Sequence, residues 1–157
     1  MKTKIYLNLV ITLVVILFAS CNKGNEDESL VFSVQYFGGW TMIDENLKIN
    51  VNTTHFSSSY HDRITMKRIS YKTKIKTSNE LWDNLTKTFN LETFQKIKDG
   101  PCSACVDGVD ETFSIIKDGK TYSFYNGVID EHYQQMQGFF DSIFELIETL
   151  RDNAEYR

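Results

Sequence analysis

The hydrophobic pattern changes period partway along this chain, and that change constrains the fold more than any other feature. In three segments before residue 78, apolar and polar residues alternate, as they do in strands half-buried against a core. Phe32, Val34 and Tyr36 share one face. Leu47, Ile49 and Val51 face one way, with Asn46, Lys48, Asn50 and Asn52 opposite. Gly38-Gly39 places a turn between these two segments, with Trp40 as its cap. The third segment carries Ile64 and Met66, then Ile69, Tyr71, Thr73 and Ile75, with Lys72, Lys74 and Lys76 opposite. Its alternation slips at Lys67-Arg68, which predicts a bulge.

From Ser78 onward the spacing is helical. Ser78 or Asn79 caps a helix whose stripe is Leu81, Trp82, Leu85 and Phe89. Leu91, Phe94 and Ile97 mark a second short turn. Residues 113–116 and 122–125 then flank Lys117-Asp118-Gly119-Lys120. Asp-Gly between apolar runs is the strongest local hairpin signal. Finally Tyr133, Met136, Phe139, Phe140, Ile143, Phe144, Ile147 and Leu150 recur at three- and four-residue steps. They predict one amphipathic helix of about five turns, capped by Asp130. The order β-β-β-α-α-β-β-α predicts an α+β fold: an antiparallel sheet of about five strands, one face covered by helices and the other in water. The aromatic stripe of the last helix is read as that cover, not as a membrane or partner surface.

The N-terminus reads as an address. Lys2 and Lys4 precede an apolar run over residues 5–18, then Ala19 and Ser20, and polar, acidic residues follow. This is the layout of a secretory signal peptide. Residues 5–19 number fifteen and include Asn8 and Thr12, fewer than the ~20 apolar residues of a membrane span. Phe18-Ala19-Ser20-Cys21, with Leu17 one place earlier, resembles the lipobox of bacterial lipoproteins cut by signal peptidase II. The resemblance implies a diacylglycerol thioether and an acylated amino group, such as palmitate, on Cys21. Two or more chains anchor stably where one does not. Asn22 replaces the Asp that retains many such proteins at the inner membrane. Glu26-Asp27-Glu28 is similar to the export tract of Bacteroidota surface lipoproteins. The implied location is the outer membrane, with the protein lipid-anchored and facing the periplasm or the cell surface. The resulting organisation is a signal peptide at 1–20, a lipidated acidic tether at 21–30, a single domain at 31–152 and a tail at 153–157.

The formal charge of −4 becomes −6 once Lys2 and Lys4 leave with the signal peptide, a balance that disfavours nucleic acid. Eleven Phe and eight Tyr supply a core. Apart from Cys21 the cysteines are Cys102 and Cys105, in Gly100-Pro101-Cys102-Ser103-Ala104-Cys105. Outside the cytoplasm such a pair reads first as a disulfide, whose small loop contributes about 2 kcal/mol. One alternative is an envelope thiol-disulfide oxidoreductase using Cys102 and Cys105. Its thiolate would need a helix N-terminus, whereas this motif follows a helical segment and precedes Val106-Asp107-Gly108-Val109-Asp110, whose carboxylates oppose a thiolate. Another is a zinc-stabilised binding module drawing on His55, His61 or His132. Asp107, Asp110 and Glu111 lack calcium-loop spacing and read as a turn into a strand at Phe113.

Lys67, Arg68, Lys72, Lys74 and Lys76 form the basic cluster of an acidic protein. Such residues protect a sheet edge against aggregation or receive an anionic partner, lipid headgroup or polysaccharide. The sequence has no G-x-S-x-G, H-E-x-x-H or phosphate-loop motif. Residues 91–123, with Leu91-x-x-Phe94, Pro101-Cys102-x-x-Cys105-x-Asp107-Gly108 and a hairpin, resemble segments of small bacterial lipoproteins. That resemblance implies no activity. The expectation is a non-enzymatic, membrane-tethered binding or accessory module without a catalytic residue, metal or cofactor. Its partners would be the membrane, through the N-terminal lipid, and an envelope protein or glycan.

Overall fold

Alternation over Phe32, Val34 and Tyr36 makes β1 (Leu30–Gly38), and β1 lies in the middle of the sheet. The computed structural model describes residues 30–40 and 42–154. The segment read as a signal peptide, Cys21, nearly all of the segment read as an acidic tether and the last residues of the expected tail lie outside the described residues. After β1 come β2 (Ile43–Ile49), β3 (Thr53–His61) and β4 (Arg68–Lys76), then helices α1 (Asn79–Thr88) and α2 (Leu91–Phe94). A 3-10 turn (Ala104–Val106) leads to β5 (Val109–Lys117) and β6 (Lys120–Tyr125). Helices α3 (Glu131–Gln135) and α4 (Gln137–Asp152) close the domain. All neighbouring strands are antiparallel, in the order β4-β3-β2-β1-β5-β6. The class is α+β, as the change of period predicts.

Three details differ from the sequence reading. The sheet has six strands, and the additional one is β3. It was missed because two of its buried inward positions, Thr54 and Ser58, are small and polar, which leaves Phe56 as the buried apolar residue of that face. Ile64 and Met66, expected on a strand, instead lie in the β3–β4 turn, 93 % and 76 % exposed. The slip at Lys67-Arg68 is therefore where β4 begins, not a bulge. The last helix is also broken. At Met136 the backbone leaves helical geometry (φ −104°, ψ 10°) and separates α3 from α4. The break lets Tyr133 stack on Phe140 with ring centroids 4.3 Å apart.

The remaining local signals carry directly into structure. The Ser78 hydroxyl accepts from the Leu81 N–H (3.1 Å), and the Asp130 carboxylate accepts from the His132 and Tyr133 N–H groups. Asp118 and Gly119 both have positive φ (51° and 73°), as a two-residue hairpin turn requires. Helix α4 lays Phe139, Phe140, Ile143, Ile147 and Leu150 on the sheet. Phe32, Val34, Leu47, Ile49, Phe113, Ile115 and Phe124 meet them from the strands. The core is thus a single layer between helices and sheet, and the opposite face of the sheet has no helix on it among the described residues.

Candidate binding face of the sheet

Because strand residues alternate in direction, burying one face of each strand fixes what the other presents. The register aligns Lys74, His55, Lys48, Ser33, Ser114 and Ser123 in one row across all six strands. Lys72, Ser57, Asn46, Gln35, Thr112 and Tyr125 form the next row. At ~4.8 Å per strand such a row is roughly 24 Å long. Neither row contains a carboxylate. Arg68, Lys72, Lys74 and Lys76 all lie on this open face along β4, and Lys67 stands just before it in the turn. Of the basic cluster, four side chains share a face.

Among the described residues, the acidic groups of the strands on this face occur toward one end and are engaged. Asp44 pairs with Arg68 at 3.6 Å, and Arg68 also donates to the Ser59 hydroxyl at 2.7 Å. Asp110 is buried beneath the loop that carries the cysteines. The helices on the far side carry Glu80, Asp83, Glu92, Asp141, Glu145 and Glu148, all exposed. The domain is therefore polarised, basic over the β4 half of its open face and acidic over its helices. Sequence reasoning found the β4 lysines but did not join Lys48 and His55 to them. The signal was Lys48 in phase with the polar side of β2; its alignment with β4 needed the strand that was missed.

The cysteines lie elsewhere. Cys102 and Cys105 are exposed at one end of the sheet, their sulfurs 2.00 Å apart in disulfide geometry. Asp110 organises this loop: its carboxylate accepts from the Ser103 and Ala104 N–H groups (2.6 and 3.0 Å), the Asn126 amide (2.7 Å) and the Tyr125 hydroxyl. Burial alone would raise the Asp110 pKa, but these donors outweigh it and hold the value at about 2. Asn126 also donates to the Pro101 carbonyl (2.7 Å) and accepts from the Glu111 N–H (2.7 Å). Asp110 and Glu111 belong to β5, which starts four residues before Phe113. Cys102 stands ahead of a three-residue 3-10 turn, too short to supply a helix dipole to a thiolate.

His55 and His61 are six residues apart on β3, roughly 20 Å at strand rise, and His132 is on α3. Among the described residues no three His, Cys, Asp or Glu side chains converge as metal ligands.

A second polar row lies under the helices. Glu45, Tyr36 and Glu111 align across β2, β1 and β5. The buried Glu45 carboxylate accepts from Ser58 (2.9 Å) and from Arg151, whose guanidinium stands 5.7 Å from the Tyr36 ring centre. Oε1 of Glu111 is buried without a hydrogen-bond partner. Burial raises the Glu111 pKa, against a smaller lowering by the Tyr36 hydroxyl. Tyr36 and Tyr133 are raised by burial first and then by the Glu111 charge, Tyr133 to about 12. This row is enclosed between sheet and helices.

At the end of the sheet far from Leu30, Phe37, Trp40, Met42, Ile64, Met66 and Val106 are each 60–93 % exposed. The loops that carry them touch: the Arg63 guanidinium lies 5.9 Å from the Trp40 ring, and a Cβ on Gly38 would stand 2.8 Å from the Ala104 Cβ. Compared with known protein families and with curated proteins, the chain matches none.

Proposed function

We propose that this protein is a lipid-anchored lipoprotein of the bacterial outer membrane and serves as a non-enzymatic binding module. Acylation of Cys21 tethers it, and the open face of its sheet receives an anionic partner. The observation that carries the binding half is the row through Lys74, His55 and Lys48, flanked by Lys72 and Lys76, on a face without a free carboxylate near them. In a chain of net charge −4, that segregation focuses positive potential on one face. The exposed apolar side chains at the far end of the sheet support a second contact region on the same module. The anchor half is supported by the lipobox-like Phe18-Ala19-Ser20-Cys21 and the signal-peptide layout before it.

Each half has its own experiment. Metabolic labelling with an alkyne fatty acid in a bacterial host marks the wild-type chain and not Cys21→Ser; an unlabelled wild type removes the anchor. Retention of the acylated protein on an immobilised polyanion at low salt falls at least tenfold when Lys72, Lys74 and Lys76 are changed to Glu. Equal retention removes the binding face.

A further inference from the structure

We propose that β4 is an acceptor edge for an extended polypeptide in which acidic residues alternate with apolar ones. This rests on the basic-face reading above and names the class of partner. Among the described residues β4 pairs with β3 alone, so one side of a nine-residue strand keeps outward-facing backbone N–H and C=O groups. Such an edge accepts another strand through main-chain hydrogen bonds, and alternate side chains then decide which strand fits.

The two faces of β4 ask for different side chains. On the open face Lys72, Lys74 and Lys76 recur every second residue, roughly 7 Å apart at strand rise. That is also the spacing of carboxylates at alternate positions of a strand added beside it. On the helix face, Ile75 is 42 % exposed and leads into a groove of about 330 Å³ lined by Leu81, Asn84, Ser142, Glu145 and Leu146. The side chains of the added strand on that face would cover Ile75, Leu81 and Leu146. A carboxylate there would meet Glu145, so acids are accepted on one face and rejected on the other.

The same lysines exclude the commonest competitor. A second copy of β4 would bring lysines opposite lysines, and like charges directly across strands are destabilising. The basic edge that prevents self-pairing favours an acidic strand. A polyanion without a peptide backbone would use the lysines and leave the edge unread.

The test uses the acylated protein in non-ionic detergent and a fluorescent eight-residue peptide alternating Glu and Val, followed by anisotropy at low salt. Lys72→Glu with Lys74→Glu weakens binding at least tenfold. The peptide is then N-methylated either on every Glu nitrogen or on every Val nitrogen, which removes the donors along one of its edges and leaves charge unchanged. One set loses at least tenfold and the other binds like the parent. If both methylated sets bind like the parent, or a Glu₄Val₄ block peptide does, the backbone is not being read and the edge proposal is overturned. Failure of the alternating peptide, with lysine-dependent retention on the polyanion, overturns the edge proposal and leaves the basic-face reading standing. Failure of both removes both.

Discussion

Arg151, in the last turn of α4, brackets the buried carboxylate of Glu45 on β2, 106 residues earlier in the chain. The Arg151 Nε lies 3.1 Å from both carboxylate oxygens, and the adjacent guanidinium nitrogen contacts one of them. The pair fastens the end of the covering helix to the sheet. Removing one partner of a buried pair costs about 3–5 kcal/mol. Because Arg151 is 40 % exposed, water replaces part of it, and Arg151→Met is expected to cost about 2 kcal/mol. In urea denaturation the double variant with Glu45→Gln should lose less than the two single losses together. Strict additivity would show that the contact contributes nothing as a pair.

Glu111 makes stability depend on pH. Its folded pKa is raised above the ordinary 4.5, by burial first. A raised group contributes stability that is fully present below the ordinary value and lost as pH rises through the folded value. Glu111→Gln cannot titrate, so its stability relative to wild type should increase from pH 4 to pH 7. Asp110 has the opposite sign: its pKa of about 2 stabilises above the ordinary 3.8, and this is lost as pH falls toward 2. Denaturation midpoints of Glu111→Gln and wild type across that range test the first effect; a constant difference would refute it.

Two glycines separate crowding from backbone preference. A Cβ on Gly100 would collide with the Asn126 carbonyl oxygen, a backbone atom that cannot swing aside as a side chain can. Gly119 has φ +73° and nothing within 4 Å. Gly119→Ala should therefore cost only the left-handed conformation, about 1 kcal/mol. Gly100→Ala should cost about 3 kcal/mol, a fall in Tm of roughly 10 °C. Equal melting shifts would contradict this account.

Cys102→Ser tests the staple. Closing so short a loop contributes about 2 kcal/mol, and the Asp110 hydrogen bonds to Ser103 and Ala104 remain. The variant, and wild type in reductant, should lose that amount with the emission of the buried Trp82 unchanged. No loss under reductant would mean the thiols are not joined in solution.

What was legible in the sequence was local. Ser78 and Asp130 as caps, Asp118-Gly119 as a hairpin turn and the α4 stripe each depend on residues within a few positions of one another. β3 was not legible, because Thr54 and Ser58 point inward where a hydrophobic count expects Val or Ile. The break at Met136 was not legible either, because the three- and four-residue spacing of apolar residues runs through it from Tyr133 to Leu150 without interruption. The cluster at β4 was visible as charge, but its continuation through His55 and Lys48 required the register. A signal for the buried row did exist: Glu45 is in phase with Leu47 and Ile49, and Glu111 with Phe113 and Ile115. A carboxylate at an inward position calls for a distant partner, though not for a particular one.

The position of β1 has a mechanical consequence. Its first residue, Leu30, is where a chain anchored upstream would pull, and β1 is bonded along its length to β2 on one side and β5 on the other. A load entering there along the strand places both ladders in shear, so many backbone bonds resist together. An edge strand pulled away sideways would give up its bonds one at a time. If the proposed anchor holds, a tether joined to this inner strand would let the domain bear tension between a membrane and a bound partner.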